Sequence, residues 1–287
     1  EALEIGDVRY EVIPLAGVEE LVSEHVPKEV ALTITASPVR GMGPTVELAE
    51  RLAGAGWRVV PHLSARLVRD EGHLEEIVGR LQGAGVRDVF VIGGDAREPA
   101  GRFEGSAELL RAMHELGHCF EEVGIAGYPE GHPFIGDEDL SRAMEKKAPY
   151  ATYIVSQICF DAELITGWAW RVKRRGIELP IWVGVPAPVE SKKLFRISTR
   201  IGLGESARFL KKQRNWLIRL FLSSFSSSSS GYNPDPLVDA LAPALLDPKS
   251  NIEGLHIYTF NELEKTEAWR AAKRWKLAKS EHEEKNF

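Results

Sequence analysis

Eight short apolar runs, each followed by an amphipathic helical pattern, predict an α/β protein folded as a (β/α)8 TIM barrel. Two further observations agree. Several of the helical stretches end in glycine, which accepts the left-handed conformation of a helix C-cap. No GxGxxG follows the first strand, as it would in an open dinucleotide-binding sheet, which also has fewer strands. The chain has 287 residues, 44% of them hydrophobic. Barrels of this kind commonly run to about 250 residues, so residues 1–287 are read as one catalytic barrel domain.

The elements follow in order. The first strand is RYEVIP (9–14), closed by Pro14. EVALTITA (29–36) is the second, followed by the helical pattern TVELAERLAGAG (45–56). RVVPHLS (58–64) precedes HLEEIVGRLQGAG (73–85), and DVFVIGG (88–94) precedes SAELLRAMHELG (106–117). EVGIAGY (122–128) and ATYIVSQI (151–158) are strands five and six, the latter leading into DAELITGWAWRVKRRG (161–176). PIWVGVP (180–186) and IEGLHIYT (252–259) complete the eight. Extra helices are expected between strands seven and eight, from SKKLFRISTRIG, GESARFLKKQRNWLIRLFL and DPLVDALAPALL. The Ser-rich segment 223–236 is low in complexity and reads as a flexible linker, with a lid over the barrel mouth as the alternative. The tail KLAKSEHEEKNF reads as a charged, fraying helix.

Composition narrows the function. A net charge of −6 and a pI near 5.8 argue against nucleic acid or an anionic membrane as partner. No apolar run approaches the roughly 20 residues of a membrane span, and residues 1–25 lack a signal-peptide layout. The two cysteines, Cys119 and Cys159, have no metal-ligand spacing, so no metal site is expected. These features point to a cytoplasmic protein.

Active sites of such barrels lie at the C-terminal ends of the strands. Those ends here carry Glu11, Thr35, His62 with Ser64, Asp95, Tyr128, Gln157, and Tyr258 with Asn261, while the strand middles are apolar. A polar pocket above an apolar plug is the expected arrangement. Glu11 has little polar company, so burial should raise its pKa and keep it protonated as a general acid requires. The alternative is a buried ion pair with Arg66 or Arg9. Asp95 follows Gly93-Gly94, whose missing side chains admit a flat ligand. An anion there suits a substrate that develops positive charge, and a turn or helix-capping role is the alternative.

GYPEGHP (127–133), PHLSAR (61–66), GGD (93–95), SQICFD (156–161) and HIYTFN (256–261) together resemble methylenetetrahydrofolate reductases in order and spacing. The resemblance implies a (β/α)8 barrel that reduces 5,10-methylenetetrahydrofolate to 5-methyltetrahydrofolate, a step that feeds methionine biosynthesis. It implies that Glu11 protonates N10 and opens the five-membered ring, leaving a cationic N5-iminium. It also implies that Asp95 stabilises this cation and that Gln157 holds the pterin. Tyr258 joins Gln157 as a substrate-binding residue. An arginine of the family pattern is replaced by Glu262.

The family's usual cofactor is FAD, and Thr35, His62, Asp95, Tyr128, His132, Asp139 and Lys146 match its flavin-contacting positions. Others depart: Gly93 and Glu145 stand where arginines are expected, and Glu104 replaces a tyrosine. Losing two cations and gaining two acids near a dianionic pyrophosphate weakens FAD binding. The pattern resembles a short, divergent branch in which NADH reduces the folate directly. On that reading Thr35, His62, Ser64, Gly94, Tyr128, His132, Asp139 and Lys146 contact the cofactor. The absence of a basic cluster for a 2′-phosphate favours NADH over NADPH. The alternatives are an FAD-dependent reductase, a flavoenzyme of the proline dehydrogenase type, and a non-catalytic folate-binding protein. A monomer is expected, with a homo-oligomer as the alternative through apolar residues such as Trp216, Leu217 and Leu220.

Overall fold

The computed structural model of the protein describes residues 8–132, 135–190 and 231–284. Eight parallel strands close into a barrel: β1 (Val8–Val12), β2 (Ala31–Ile34), β3 (Val59–Ser64), β4 (Asp88–Ile92), β5 (Glu122–Gly127), β6 (Tyr153–Ser156), β7 (Ile181–Pro186) and β10 (Ile252–Tyr258). β10 lies between β7 and β1 and completes the ring. Every expected strand is present; β1 begins one residue earlier than expected and ends two earlier, and the others are shortened by a residue or two at one or both ends.

The helices α1 (Val18–His25), α2 (Gly43–Gly54), α3 (Glu71–Gly83), α4 (Ser106–Leu116), α5 (Asp137–Lys147) and α6 (Ala162–Arg174) follow β1 to β6. The glycines expected to end α2, α3, α4 and α6 adopt the left-handed conformation, Gly117 at φ 75° for example. After β7 a two-stranded antiparallel ribbon, β8 (Val189–Glu190) with β9 (Gly231–Tyr232), precedes α7 (Asp235–Leu246). α8 (Leu263–Glu284) ends the chain's regular structure. The helical patterns expected over 191–222, with Trp216, Leu217 and Leu220, and residues 223–230 of the Ser-rich segment lie outside the described residues. The end of that segment, 231–236, supplies β9 and the start of α7.

Side chains alternate across a strand, and this sorts the residues of every barrel strand. Val8, Tyr10 and Val12 of β1 point outward and join Leu32, Ile34, Leu63, Val89, Val91, Ile125 and Ile257 in the main core beneath the helices. Burying each of these large apolar side chains is worth roughly 1.5–3 kcal/mol. A smaller cluster of Val60, Phe90, Tyr153, Val155 and Trp182 fills the barrel itself.

This interior plug differs from the expected one because it contains charge. Arg9 points inward and donates to Asp88 at 2.9 Å and to Glu122 at 3.0 Å. Its guanidinium lies between the rings of Tyr153 and Trp182, 4.1 and 4.3 Å from their centroids. The Tyr153 hydroxyl donates to the other oxygen of Asp88 at 2.7 Å. A buried cation is tolerable only with such pairing. Arg9 is therefore not the partner of Glu11. Arg66 is not one either, since its guanidinium donates to the carbonyls of Ala96, Arg97 and Glu104.

The seam between β10 and β1 is stitched by side chains. Thr259 Oγ1 donates to the Glu11 carbonyl at 2.5 Å. Asn261 accepts from Ile13 N–H at 2.8 Å and donates to Ile13 O at 3.0 Å. Phe260 and Asn261 reach this geometry at φ 52° and 59°. Asn tolerates that region better than most residues, and its amide replaces the missing backbone partner. Outside the ring, Tyr10 donates to Glu267 of α8 at 2.8 Å, and Arg270 pairs with the same carboxylate.

Candidate active site

The closing stitches fix the backbone at Glu11, whose strand neighbours are Thr33 on β2 and Tyr258 on β10. Its side chain points into the barrel one layer above Arg9. Glu11 Oε2 lies 3.3 Å from His256 Nε2 and 3.8 Å from His62 Nε2. The Glu11 side chain keeps 16% of its surface exposed, while both imidazoles are buried. Burial pushes the Glu11 pKa up to about 7, partly opposed by His62. Burial likewise pushes His62 down to about 4 and His256 down to about 3, the latter helped by the charge of Arg9. At neutral pH the cluster therefore holds two neutral imidazoles beside an acid that is roughly half protonated.

His256 was not singled out from the sequence. The signal was available in the strand period, because the residue two before an inward-facing Tyr258 faces inward too. The Tyr258 ring stands edge-on to His256, centroids 4.9 Å apart, and its hydroxyl donates to Ser156 O at 3.2 Å. Burial and the nearby Glu11 raise its pKa. Gly184 makes room for this ring: a Cβ there would fall 2.2 Å from Ser156 O and 2.7 Å from Tyr258 Cε2. Gln157 follows β6, is exposed, and accepts from Ile158 N–H through Oε1 at 3.1 Å. Glu11, His62, Tyr258 and Gln157 thus come from four neighbouring or facing strands onto one mouth.

A second group gathers on β3, β4 and β5. Ser64 is buried against the Gly93-Gly94 turn, and Gly94 has φ 91° with Ser64 Oγ only 1.9 Å from where a Cβ would stand. Only glycine fits that position. The Cβ side of Gly93 meets nothing within 4 Å, so its backbone presents an open face. Asp95 follows on the exposed side of the turn. Its charge, after burial, raises the pKa of Tyr128, and the Tyr128 ring stands edge-on to His132 at 5.2 Å. Thr35 lies just beyond β2, where its carbonyl accepts from Thr45 Oγ1 at 2.8 Å.

Asp139 and Lys146 are exposed on α5, in its first and last turns. Seven residues of helix separate them by about 10 Å, so they do not join one cluster. The lysine turned inward is Lys147, which approaches Ala126 O at 3.5 Å and whose pKa burial lowers to about 8. Glu262, where an arginine was expected, pairs with Lys265 at 3.4 Å, and Lys265 also pairs with Glu190. Among the described residues no His, Cys, Asp and Glu side chains converge as a metal site, and no helix is long and apolar enough to cross a membrane.

Chemically, the mouth offers a proton at Glu11, a carboxylate at Asp95 across from it in chain order, and a glycine face between β3 and β5. Comparison with known proteins gives this arrangement a family. Residues 17–205 match the model of methylenetetrahydrofolate reductase. Methylenetetrahydrofolate reductase 1 of Schizosaccharomyces pombe is 27% identical over 124 residues, 39% of this chain and 20% of that protein. Methylenetetrahydrofolate reductase 2 of Saccharomyces cerevisiae is 24% identical over 113 residues, 36% of this chain and 19% of that protein. The matched region is thus about a fifth of the length of either relative. A solved structure of a monomeric dihydrodipicolinate synthase variant overlays 94% of this chain and 97% of its own, at a TM-score of 0.41 and 14% identity. Glu11, His256 and Tyr258 lie outside the matched residues, so their placement is known from the barrel geometry. The match itself covers more than half of the sequence, and the chain belongs to the methylenetetrahydrofolate reductase family.

Proposed function

We propose that this protein reduces 5,10-methylenetetrahydrofolate to 5-methyltetrahydrofolate, with hydride delivered directly by NADH. The observation that carries the reading is Glu11, a desolvated acid with a pKa of about 7 facing the mouth. General acid catalysis is most effective with a pKa near the working pH. Glu11 gives its proton to N10, the bond from the methylene carbon to N10 breaks, and the cation left at N5 and the methylene carbon accepts the hydride. Asp95 stabilises that cation. Gln157 and Tyr258 orient the pterin, and the layer below Glu11 keeps water from the acid. NADH would supply the two-electron reductant when bound, and Thr35, His62, Ser64, Gly94, Tyr128 and His132 are the residues that would hold it.

An FAD-dependent reaction using NAD(P)H is the second reading, supported by the flavin-type positions Thr35, His62, Asp95, Tyr128, His132, Asp139 and Lys146. Against it stands Arg66, whose backbone N–H donates to Gly93 O but whose guanidinium is committed to loop carbonyls. A pyrophosphate at this turn, of FAD or of NADH, would have to find charged donors elsewhere, a demand that bears harder on a tightly held flavin than on a coenzyme that exchanges at each turnover. Anaerobic NADH oxidation with 5,10-methylenetetrahydrofolate, using protein of measured flavin content, tests both readings. Turnover by flavin-free protein, lost at least about 100-fold in Glu11→Gln, supports the first. Turnover only after FAD is added supports the second, and no folate reduction under either condition refutes both.

A further inference from the structure

Glu11 poses a problem that its burial alone does not solve. An acid kept protonated by desolvation is a reluctant donor, because the carboxylate it leaves is as poorly solvated as before. Both imidazole contacts fall on the same oxygen, Oε2, at 3.3 and 3.8 Å. Among the described residues no group hydrogen-bonds Oε1, and 16% of the Glu11 side chain stays exposed.

The unpartnered atoms set the tautomer. His256 Nδ1 and His62 Nε2 are buried without a hydrogen-bond partner. A bare acceptor nitrogen is a cheaper orphan than an N–H, so His256 carries its proton on Nε2 and points it at Glu11. By the same rule His62 leaves Nε2 bare, 3.8 Å from Glu11 Oε2 and beyond hydrogen-bond reach, so His256 is the donor to Oε2. The other titratable or charged groups facing this cluster are Tyr258 on β10, Arg9 in the layer below, and Tyr128, which acts on Tyr258. None of them is placed to donate to Oε2.

We propose that His256 is a positioning residue that stabilises the charge left on Glu11 as the acid reacts. Its N–H holds Oε2, which leaves the acidic proton on Oε1, the oxygen facing the substrate. When the Oε1–H bond breaks and the N10–H bond forms, the electron pair stays on the carboxylate. The His256 N–H at Oε2 then shortens onto a charged acceptor and strengthens. Stabilisation is gained mainly in the transition state and afterwards, which is what raises kcat. The catalytic step is the one proposed above, so this inference rests on that reading.

The test uses His256→Leu, which removes the donor, and His256→Gln, which keeps an N–H at similar reach. The first readout needs no turnover: the infrared carbonyl band of protonated Glu11, identified by its loss in Glu11→Gln, is titrated in each protein. The expected midpoint is about 7 in the native protein, higher in His256→Leu, and restored toward the native value in His256→Gln. The second readout is kcat for NADH-dependent folate reduction. It should fall about 10- to 100-fold in His256→Leu, with the folate Kd from fluorescence quenching within about 2-fold. A midpoint that stays or falls in a folded His256→Leu overturns the proposal. So does an unchanged kcat, or a His256→Gln that is no better than Leu. If the native protein reduces no folate, the proposed function fails, while the infrared titration still decides whether His256 donates to Glu11.

Discussion

Glu11→Gln should stabilise this protein, by an amount that grows with pH. The folded carboxyl titrates at about 7 against an ordinary value of 4.5. Well below 4.5 both the folded and the unfolded chain hold the proton, and the raised pKa contributes its full stability. Between these two values the unfolded chain ionises while the folded one must keep its proton, so that contribution falls by about 1.4 kcal/mol per pH unit. Above 7 the folded form ionises as well and the loss levels off near 3 kcal/mol. Glutamine has the shape without the titration. Its advantage over the native protein should therefore widen by about 2–3 kcal/mol between pH 5 and pH 8. Protonation of His62 and His256 affects both proteins and largely cancels in the difference. Urea unfolding followed by tryptophan fluorescence, at unit steps of pH across that range, gives the difference directly. A constant offset would refute the reasoning, since a hydrogen-bond difference between Glu and Gln does not titrate. A native protein that gains on the variant as pH rises would show that Glu11 is ionised and paired when folded.

Three other substitutions probe the frame around the acid. Arg9→Met leaves Asp88 buried without its cation and should cost about 3–5 kcal/mol in urea unfolding; Arg9→Met with Asp88→Asn should recover part of it. Gly184→Ala drives a Cβ into Ser156 O and the Tyr258 ring, and should cost about 1–3 kcal/mol while lowering folate turnover more than NADH affinity. Asn261→Ala removes both bonds to Ile13 at the barrel seam and should cost about 1–3 kcal/mol, with a raised KM for the folate if Glu11 shifts with its strand.

The barrel was legible because its signals are local. Each strand is a short apolar run bounded by turn residues, and the glycine after a helix marks its end within a residue or two. Glu11 was legible for the same reason, as an acid inside an apolar run. What surrounds Glu11 was less so. His256 stands 245 residues away, and only the strand period, counted back from Tyr258, places it on the inner face. The Arg9 network was missed because its partners, Asp88 and Glu122, are each the first residue of a strand, a position that reads as solvent-facing. Lys146 and Lys147 show the limit on a helix. Neighbouring residues differ by about 100° around the axis, and two adjacent lysines give no apolar pattern to say which one turns inward.

The charged floor of the barrel bears on the acid above it. Trp182 lies on β7 beside Gly254 of β10, one layer below His256 and Gly184, and it caps the Arg9 guanidinium from one side. If this ring also keeps solvent from Glu11, it contributes to the burial that raises the pKa of the acid. Trp182→Ala opens a space lined by Arg9, Asp88 and Tyr153, polar and large enough to take water. Water there would solvate the carboxylate from beneath and lower the Glu11 midpoint toward 4.5, while the cavity costs about 3–5 kcal/mol. The infrared titration that follows Glu11 separates the two effects, because loss of packing alone changes stability without moving the band. If the midpoint stays at about 7 in folded Trp182→Ala, the desolvation of Glu11 comes from its own layer of histidines and tyrosine, and the floor serves only to hold the barrel together.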